Sequence, residues 1–139
     1  MTFSDFFSHL PDLDWVGILA GTVALMVFGF LWYGPILGKA WSKATGQPMN
    51  SSAKGMGPQL AFTAVYLLVF NVGLAYMVGS VDDIEYSLVA GLIVGLLIIG
   101  AAMYSSVVWT KSSTTRWMID AGHWFFATAI AVYVQGLMA

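Results

Sequence analysis

The charged residues of this chain leave four long stretches without formal charge. Three of these uncharged runs lie at 15–38, 55–81 and 86–110. A fourth lies at 121–139, and it is longer if it begins at Trp117 and includes Asp120. About 20 predominantly apolar residues are enough to span a bilayer as a helix. The pattern predicts one all-α transmembrane domain over residues 1–139, a membrane bundle of four helices at about 15–33, 58–78, 87–110 and 117–137.

The composition excludes several classes of protein. Charged residues make up 9% of the chain and hydrophobic residues 59%, whereas soluble domains carry roughly 25% charged residues. The chain therefore has too few charged residues to cover the surface of a soluble enzyme. Five Lys and Arg residues and a net charge of -2 leave no basic surface for nucleic acid. The absence of Cys removes disulfides and thiolate chemistry.

The distribution of Lys and Arg predicts the orientation in the membrane. All five basic residues lie between the first and second spans or between the third and fourth, and short basic loops stay on the cytoplasmic side. We expect a cell (inner) membrane protein with loops 34–57 and 111–116 in the cytoplasm. Both termini and loop 80–85 are then extracytoplasmic. The basic residues are Lys39, Lys43, Lys54, Lys111 and Arg116.

Two short amphipathic segments predict interfacial helices outside the spans. One apolar helical face in residues 3–10 precedes Pro11 and would lie on the outer interface, although a frayed terminus is the alternative. A second apolar face in residues 36–44 stands opposite Lys39 and Lys43, which suits the inner headgroups. The segment 46–57, with Pro48, Asn50, Ser51 and Ser52, has the composition of a turn.

Two sequence blocks carry a resemblance to a known family. The first is Gly29-Phe30-Leu31-Trp32-Tyr33-Gly34-Pro35-Ile36-Leu37-Gly38-Lys39-Ala40-Trp41, and the second is Ile119-Asp120-Ala121-Gly122-His123. They resemble the signature of the domain of unknown function 1761 family, and chain length and the four apparent spans also fit. The resemblance implies a small four-helix integral membrane protein. It brings no reaction, substrate or catalytic residue.

The first block has a physical interpretation as an interfacial anchor. Aromatic residues at the inner end of the first span suit the headgroup level, and Pro35 would turn the chain into the second interfacial helix. Ligand binding by the same residues is the alternative. The predicted anchor motif is Trp32, Tyr33, Pro35, Gly38, Lys39 and Trp41.

The second block predicts a polar cluster near the inner face. Arg116, Asp120 and His123 share one side of the fourth helix, with Asp120 about 5 Å and His123 about 9 Å inside the membrane. The same depth count places Tyr104 and Ser105 of the third span opposite His123. The cluster would act as a polar clamp between helices or as a proton shuttle. Haem or pigment ligation by His123 is a distant third interpretation.

Deeper in the bilayer, Asn71 is the most central polar residue. It lies about 20 Å from the inner end of the second span, and Thr22 of the first span reaches a similar depth. A hydrogen bond between them would stabilise the bundle. Lining a solute path is the alternative.

Four glycines form two faces of small residues that allow close helix packing. Such faces serve either the bundle itself or an oligomer, and spacing alone leaves both open. The first face lies in the first span and the second in the third. The residues are Gly17, Gly21, Gly91 and Gly95.

These observations together predict a non-enzymatic membrane protein without a cofactor or metal site. One carboxylate within the spans, two His residues at opposite membrane faces and no Cys make no nucleophile or two-metal constellation. We expect a structural or accessory subunit whose partners are the lipid bilayer and either itself or other membrane subunits. The alternative is a small solute or proton channel lined by Asn71, Asp120 and His123.

Overall fold

The computed structural model describes residues 1–48, 55–78 and 82–139, which form helices and connecting turns without any strand. The expectation of an all-α chain is confirmed. A 3-10 turn, Leu10–Asp12, and a π-helical turn, Trp32–Ile36, connect neighbouring helices. The helices are α1 (Phe3–His9), α2 (Trp15–Leu31), α3 (Gly38–Thr45), α4 (Gly57–Met77), α5 (Ile84–Trp109) and α6 (Thr114–Met138).

Three helices in the described part of the chain are long and apolar enough to cross a membrane. They are Trp15–Ile36, Gly57–Met77 and Ile84–Trp109. The fourth predicted span is present as the 25-residue α6, but it does not meet the same criterion. Its sequence carries an acid, a His and a Gln, which lower its hydropathy. The structure thus supports membrane character through three spans.

Helix α6 is the centre of the bundle. It packs along α2 and α5, with smaller contacts to α3 and α4, while α4 packs mainly on α2. Ten residues of α6 are buried, and many of them are small. The core that they share with the other helices comprises Leu25, Leu67, Leu74, Ala90, Val94, Ala127, Ala131 and Val132.

The glycine faces are used inside this bundle. A Cβ atom at Gly91 or Gly95 would collide with the backbone of Phe125 or Trp124 on α6. Here α5 is wound as a π-helix, Gly91–Gly100, between α-helical ends. On α2, Gly17 lies against the backbone at Gln135, and Gly21 against the side chain of Asn71. Of the two roles left open by the spacing, the structure assigns these faces to internal packing.

The N-terminal segment is a helix and not a frayed tail. Thr2 and Asp5 form a capping box at its start, which satisfies free N–H groups of the first turn. The Phe6 ring stacks on Tyr76 of α4 at 4.5 Å, and the Tyr76 hydroxyl donates to the Phe6 carbonyl. Phe3 and Phe7 are largely exposed, which suits the predicted interfacial position.

The second short helix begins at Gly38, two residues later than predicted, because the π-helical turn that contains Pro35 precedes it. The predicted turn residues Asn50, Ser51 and Ser52, together with Lys54, lie outside the described residues. The same holds for 79–81, which include the first two residues of the predicted outer loop 80–85.

Candidate functional site

The two sequence blocks meet in the structure. The indole N–H of Trp32 donates to the carbonyl of Ile119 at 3.1 Å. The hydroxyl of Tyr33 donates to Oδ1 of Asp120 at 2.6 Å. Residues 87 positions apart are thereby joined across the α2–α6 interface. We call Trp32, Tyr33, Asp120 and His123 the inter-block cluster.

These contacts add to the expected role of the first block. The sequence predicts that Trp32 and Tyr33 anchor the chain at the headgroups, which stays a prediction, and the structure shows that their polar atoms bond to α6. Buried indole N–H and phenol O–H groups need a partner, and α6 supplies both. Gly122 makes room, since a Cβ there would lie 3.3 Å from the Trp32 ring.

The rest of the anchor motif surrounds this contact. Trp41 of α3 meets the Tyr33 ring edge-on at 5.8 Å. Gly38 is buried where α3 begins, whereas Pro35 and Lys39 are exposed. The anchoring role stays a prediction for all six residues of the motif.

Asp120 is held by two partners. Nε of Arg116 lies 3.5 Å from Oδ2, in addition to the Tyr33 bond to Oδ1. The predicted pairing of Arg116 with Asp120 is therefore present. Burying a carboxylate is costly unless it is paired and hydrogen-bonded, and here each oxygen has a partner.

His123 lies in an aromatic box beside Asp120. Its ring stacks on Phe28 at 5.3 Å with an angle of 17° between the planes. Tyr33 and Trp124 approach it at 5.1 and 5.3 Å. His123 is 5% exposed, and its Nδ1 has no hydrogen-bond partner among the described residues. The box is filled by side chains and packs the imidazole as an aromatic ring.

The expected pairing of His123 with Tyr104 and Ser105 is wrong. Tyr104 instead lies edge-on against Trp117 at 5.0 Å, and the Trp117 indole donates to the carbonyl of Gly100. Trp117 and His123 are six residues apart, which is about 240° around a helix. The α6 face that meets the end of α5 therefore carries Trp117 and not His123.

Ser105 nevertheless lies near Asp120, across a cavity of about 260 Å³ between α5 and the start of α6. The hydroxyls of Ser106 and Ser112 face one another at 3.1 Å on its wall. The lining is Met103, Ser105, Ser106, Ser112, Arg116, Trp117 and Asp120.

A second polar contact lies far along α6. The amide of Gln135 donates to Oδ1 of Asn71 at 2.8 Å, and the Asn71 amide donates to the carbonyl of Leu67. The expected partner, Thr22, instead donates to the carbonyl of Ile18 in its own helix. Asn71 is thus a clamp between helices, but to α6 and not to α2.

The structure does not bring Asn71 together with Asp120 and His123. Gln135, its partner on α6, is 12 residues from His123, about 18 Å along the helix. Between them lie the fully packed side chains of Ala127, Ala131 and Val132. These apolar side chains separate two local polar sites, so the expected lining does not form one path.

Sequence reasoning missed Gln135 and the inward role of Tyr33. Tyr33 had a usable signal, because Tyr33 and Asp120 both lie near the inner ends of their spans and the depth count matches them. Gln135 had none in depth, since it lies about 27 Å along the helix from Trp117, whereas Asn71 lies about 20 Å from the inner end of its span.

No group of three His, Asp or Glu side chains within the described ranges is arranged to hold a metal ion. What the cluster does chemically is to hold a carboxylate between a guanidinium and a phenol at the end of the bundle.

Comparison with known proteins identifies the family. Residues 16–136 match the family model described as Protein of unknown function (DUF1761). The match includes both sequence blocks and therefore every residue of the inter-block cluster. No curated protein and no solved structure matches the chain. Because the match covers most of its length, the chain belongs to the DUF1761 family.

Proposed function

We propose that this chain is a non-enzymatic, four-span protein of the cell membrane that serves as a structural or accessory subunit. It works either as a homo-oligomer or within a larger membrane complex. The spans are α2, α4, α5 and α6, with loops 34–57 and 111–116 in the cytoplasm.

The observation that carries this proposal is the direction of the polar side chains of α6. Asp120 and Gln135 are buried and bonded to side chains of the α2 end and of α4, and Thr128 donates to its own helix. Polar residues within membrane helices face the bundle interior. Helix α6 therefore needs less apolar surface than its neighbours because they shield it from lipid.

The outer surface supports an embedded protein with lateral contacts. Phe30, Phe62 and Val69 are each about two-thirds exposed or more. Large exposed apolar areas mark contacts with lipid or with other membrane helices. The glycine faces pack against other helices of the same chain. A contact with a neighbouring protein in the membrane would therefore use these larger side chains.

The channel alternative receives less support from the same geometry. Conduction needs polar groups along a continuous path. The two polar sites are separated by packed Ala127, Ala131 and Val132, and their hydrogen bonds join helices of the chain.

Thiol labelling in intact cells tests the topology. The chain has no Cys, so single variants give clean signals. Gln47→Cys and Thr114→Cys should be shielded from an impermeant reagent, while Asp82→Cys should react. The reverse pattern would invert the topology, and shielding at only one of Gln47 and Thr114 would contradict four spans.

Native mass analysis after gentle detergent extraction tests the accessory role. We expect the chain to travel as a defined homo-oligomer or with a fixed membrane partner. Phe62→Ala should weaken that association, whereas Leu67→Ala, in the core, should affect folding instead. A chain that extracts only as a monomer at native expression levels would contradict a subunit role.

A further inference from the structure

We propose that the cavity between α5 and the start of α6 binds the phosphate group of an anionic phospholipid. The proposal rests on the membrane placement proposed above, because that placement puts the α5–α6 connection at the inner headgroups. It adds a ligand that the structural role does not require.

The lining of the cavity suits a phosphate. Arg116 contributes a guanidinium and Ser112 contributes a hydroxyl. The Ser112 hydroxyl lies 3.1 Å from that of Ser106, which donates to the carbonyl of Met103. A guanidinium presents five N–H donors in a fork that matches phosphate oxygens. Nε of Arg116 lies 3.5 Å from Oδ2 of Asp120, and the Arg116 side chain is half exposed. The exposed part of the guanidinium can therefore meet an incoming anion.

The carboxylate on the cavity wall does not oppose this assignment. Oδ1 of Asp120 accepts from Tyr33, and Oδ2 lies beside Arg116. Asp120 is thus compensated by its partners and fixes the guanidinium in place. The first turn of α6 adds the positive end of a 25-residue helix.

The size and position of the cavity favour a lipid source over a larger soluble ligand. Its volume of about 260 Å³ is below the roughly 300–1,000 Å³ of pockets for drug-sized molecules. Its lining includes Ser105 and Ser106 of α5, and near them in the sequence Trp109 is 83% exposed and Tyr104 41% exposed. Exposed aromatic rings of this kind belong to the headgroup level, where acyl chains extend along the apolar surface of α5.

The test is native mass spectrometry of the full-length protein in detergent with added phosphatidylglycerol or phosphatidylcholine. We expect one phosphatidylglycerol to be retained in preference to phosphatidylcholine. Arg116→Gln should reduce this retention about tenfold, the effect of losing one charge-assisted hydrogen bond. Millimolar inorganic phosphate should not displace the lipid, and displacement would overturn the lipid source in favour of free phosphate.

Lys111→Gln is the matched control, because it removes a positive charge from the same loop but not from the cavity wall. It should change retention less than about twofold, as expected for a charge near the surface and outside the site. Equal losses in the two variants, or equal retention of the two lipids, would overturn the site in favour of general surface charge.

A third variant covers the case in which Arg116→Gln impairs folding through Asp120. Ser105→Leu fills the cavity and leaves the ion pair intact, so it should also lower retention, and unchanged retention would overturn the proposal. Thiol labelling of Thr114→Cys tests the orientation in the membrane independently of lipid binding. Lost lipid selectivity in a correctly oriented protein would overturn the lipid site alone.

Discussion

The hydroxyl of Tyr33 donates a 2.6 Å hydrogen bond to Oδ1 of Asp120. This bond ties the end of α2 to the first turns of α6 and completes the partners of a buried carboxylate. It also connects two sequence blocks that the chain separates by three helices. The stability of the bundle should therefore depend on this single hydroxyl.

Tyr33→Phe should lower the free energy of unfolding by about 1–3 kcal/mol, because it leaves a buried carboxylate oxygen without a donor. Tyr104→Phe is the matched control and should change it by less than about 0.5 kcal/mol, since Tyr104 is exposed and its ring contact with Trp117 is retained. Thermal or denaturant unfolding in detergent measures both. Equal losses of unfolding free energy in the two variants would mean that the Tyr104 hydroxyl also has a hydrogen-bond partner in the polar cluster.

The Gln135 and Asn71 side chains should be energetically coupled. Asn71→Leu and Gln135→Leu each leave the other amide unpaired, so the double variant should lose less stability than the sum of the single losses. Membrane double-mutant cycles lead us to expect a coupling of about 0.6 kcal/mol, with a maximum near about 1.7 kcal/mol.

Thr22→Val provides the comparison for that cycle. Thr22 bonds within its own helix, so its effect should add to that of Asn71→Leu without coupling. Coupling of Asn71 to Thr22 and not to Gln135 would restore the pairing expected from depth alone.

Gly95→Ala should destabilise the bundle by more than about 2 kcal/mol, because its Cβ would meet the backbone of Trp124 and force α5 away from α6. Gly73→Ala is the matched control within α4, where a Cβ meets nothing within 4 Å. It should be neutral or stabilising by about 0.5–1 kcal/mol. Unfolding experiments measure both variants. Equal losses of unfolding free energy would contradict close packing at Gly95.

Much of the fold could be predicted from charge spacing and apolar length. Each predicted span corresponds to a helix, and both short helices expected outside the spans are present. The central position of α6, which packs along both α2 and α5, could not be predicted, because charge spacing and apolar length do not determine which helices contact one another. The hydropathy of α6 is lowered by the same residues that its central position shields.

Of the candidate site, the contact within one helix could be predicted and the contacts between helices could not. The pair of Arg116 and Asp120 lies within one helix, where spacing alone sets the geometry. The partners across helices depend on helix rotation, which depth does not determine. Tyr33 takes the place expected for Tyr104, and Gln135 that of Thr22, because α6 turns its polar residues toward α2 and α4.

The start of α1 should be sensitive to acid. The backbone N–H of Thr2 donates to Oδ2 of Asp5 at 2.8 Å. This bond, with a smaller contribution from the Thr2 side chain, lowers the pKa of the Asp5 carboxyl below its usual 3.8. A lowered pKa in the folded state means that the stabilisation is present above the ordinary pKa and lost as the pH falls through the folded one.

Fluorescence of Trp15, whose indole donates to the carbonyl of Leu10, should report loosening of this segment below about pH 4. Asp5→Asn should remove that transition, because the amide does not titrate. Persistence of the transition in the variant would assign it to another group.

Two substitutions at His123 distinguish an aromatic role of its ring from a polar one. Its ring stacks on Phe28, while Nδ1 has no partner among the described residues. If stacking is what matters, His123→Phe should keep the free energy of unfolding within about 1 kcal/mol of the wild type, because it preserves the ring and removes an unpaired polar atom. His123→Gln keeps hydrogen-bonding capacity but loses the ring, and it should cost about 1–3 kcal/mol by burying an unpaired amide. A polar clamp predicts the opposite order, so unfolding of the two variants under the same conditions decides between them. Tolerance of Gln together with failure of Phe would mean that Nδ1 or Nε2 has a polar partner in the working protein.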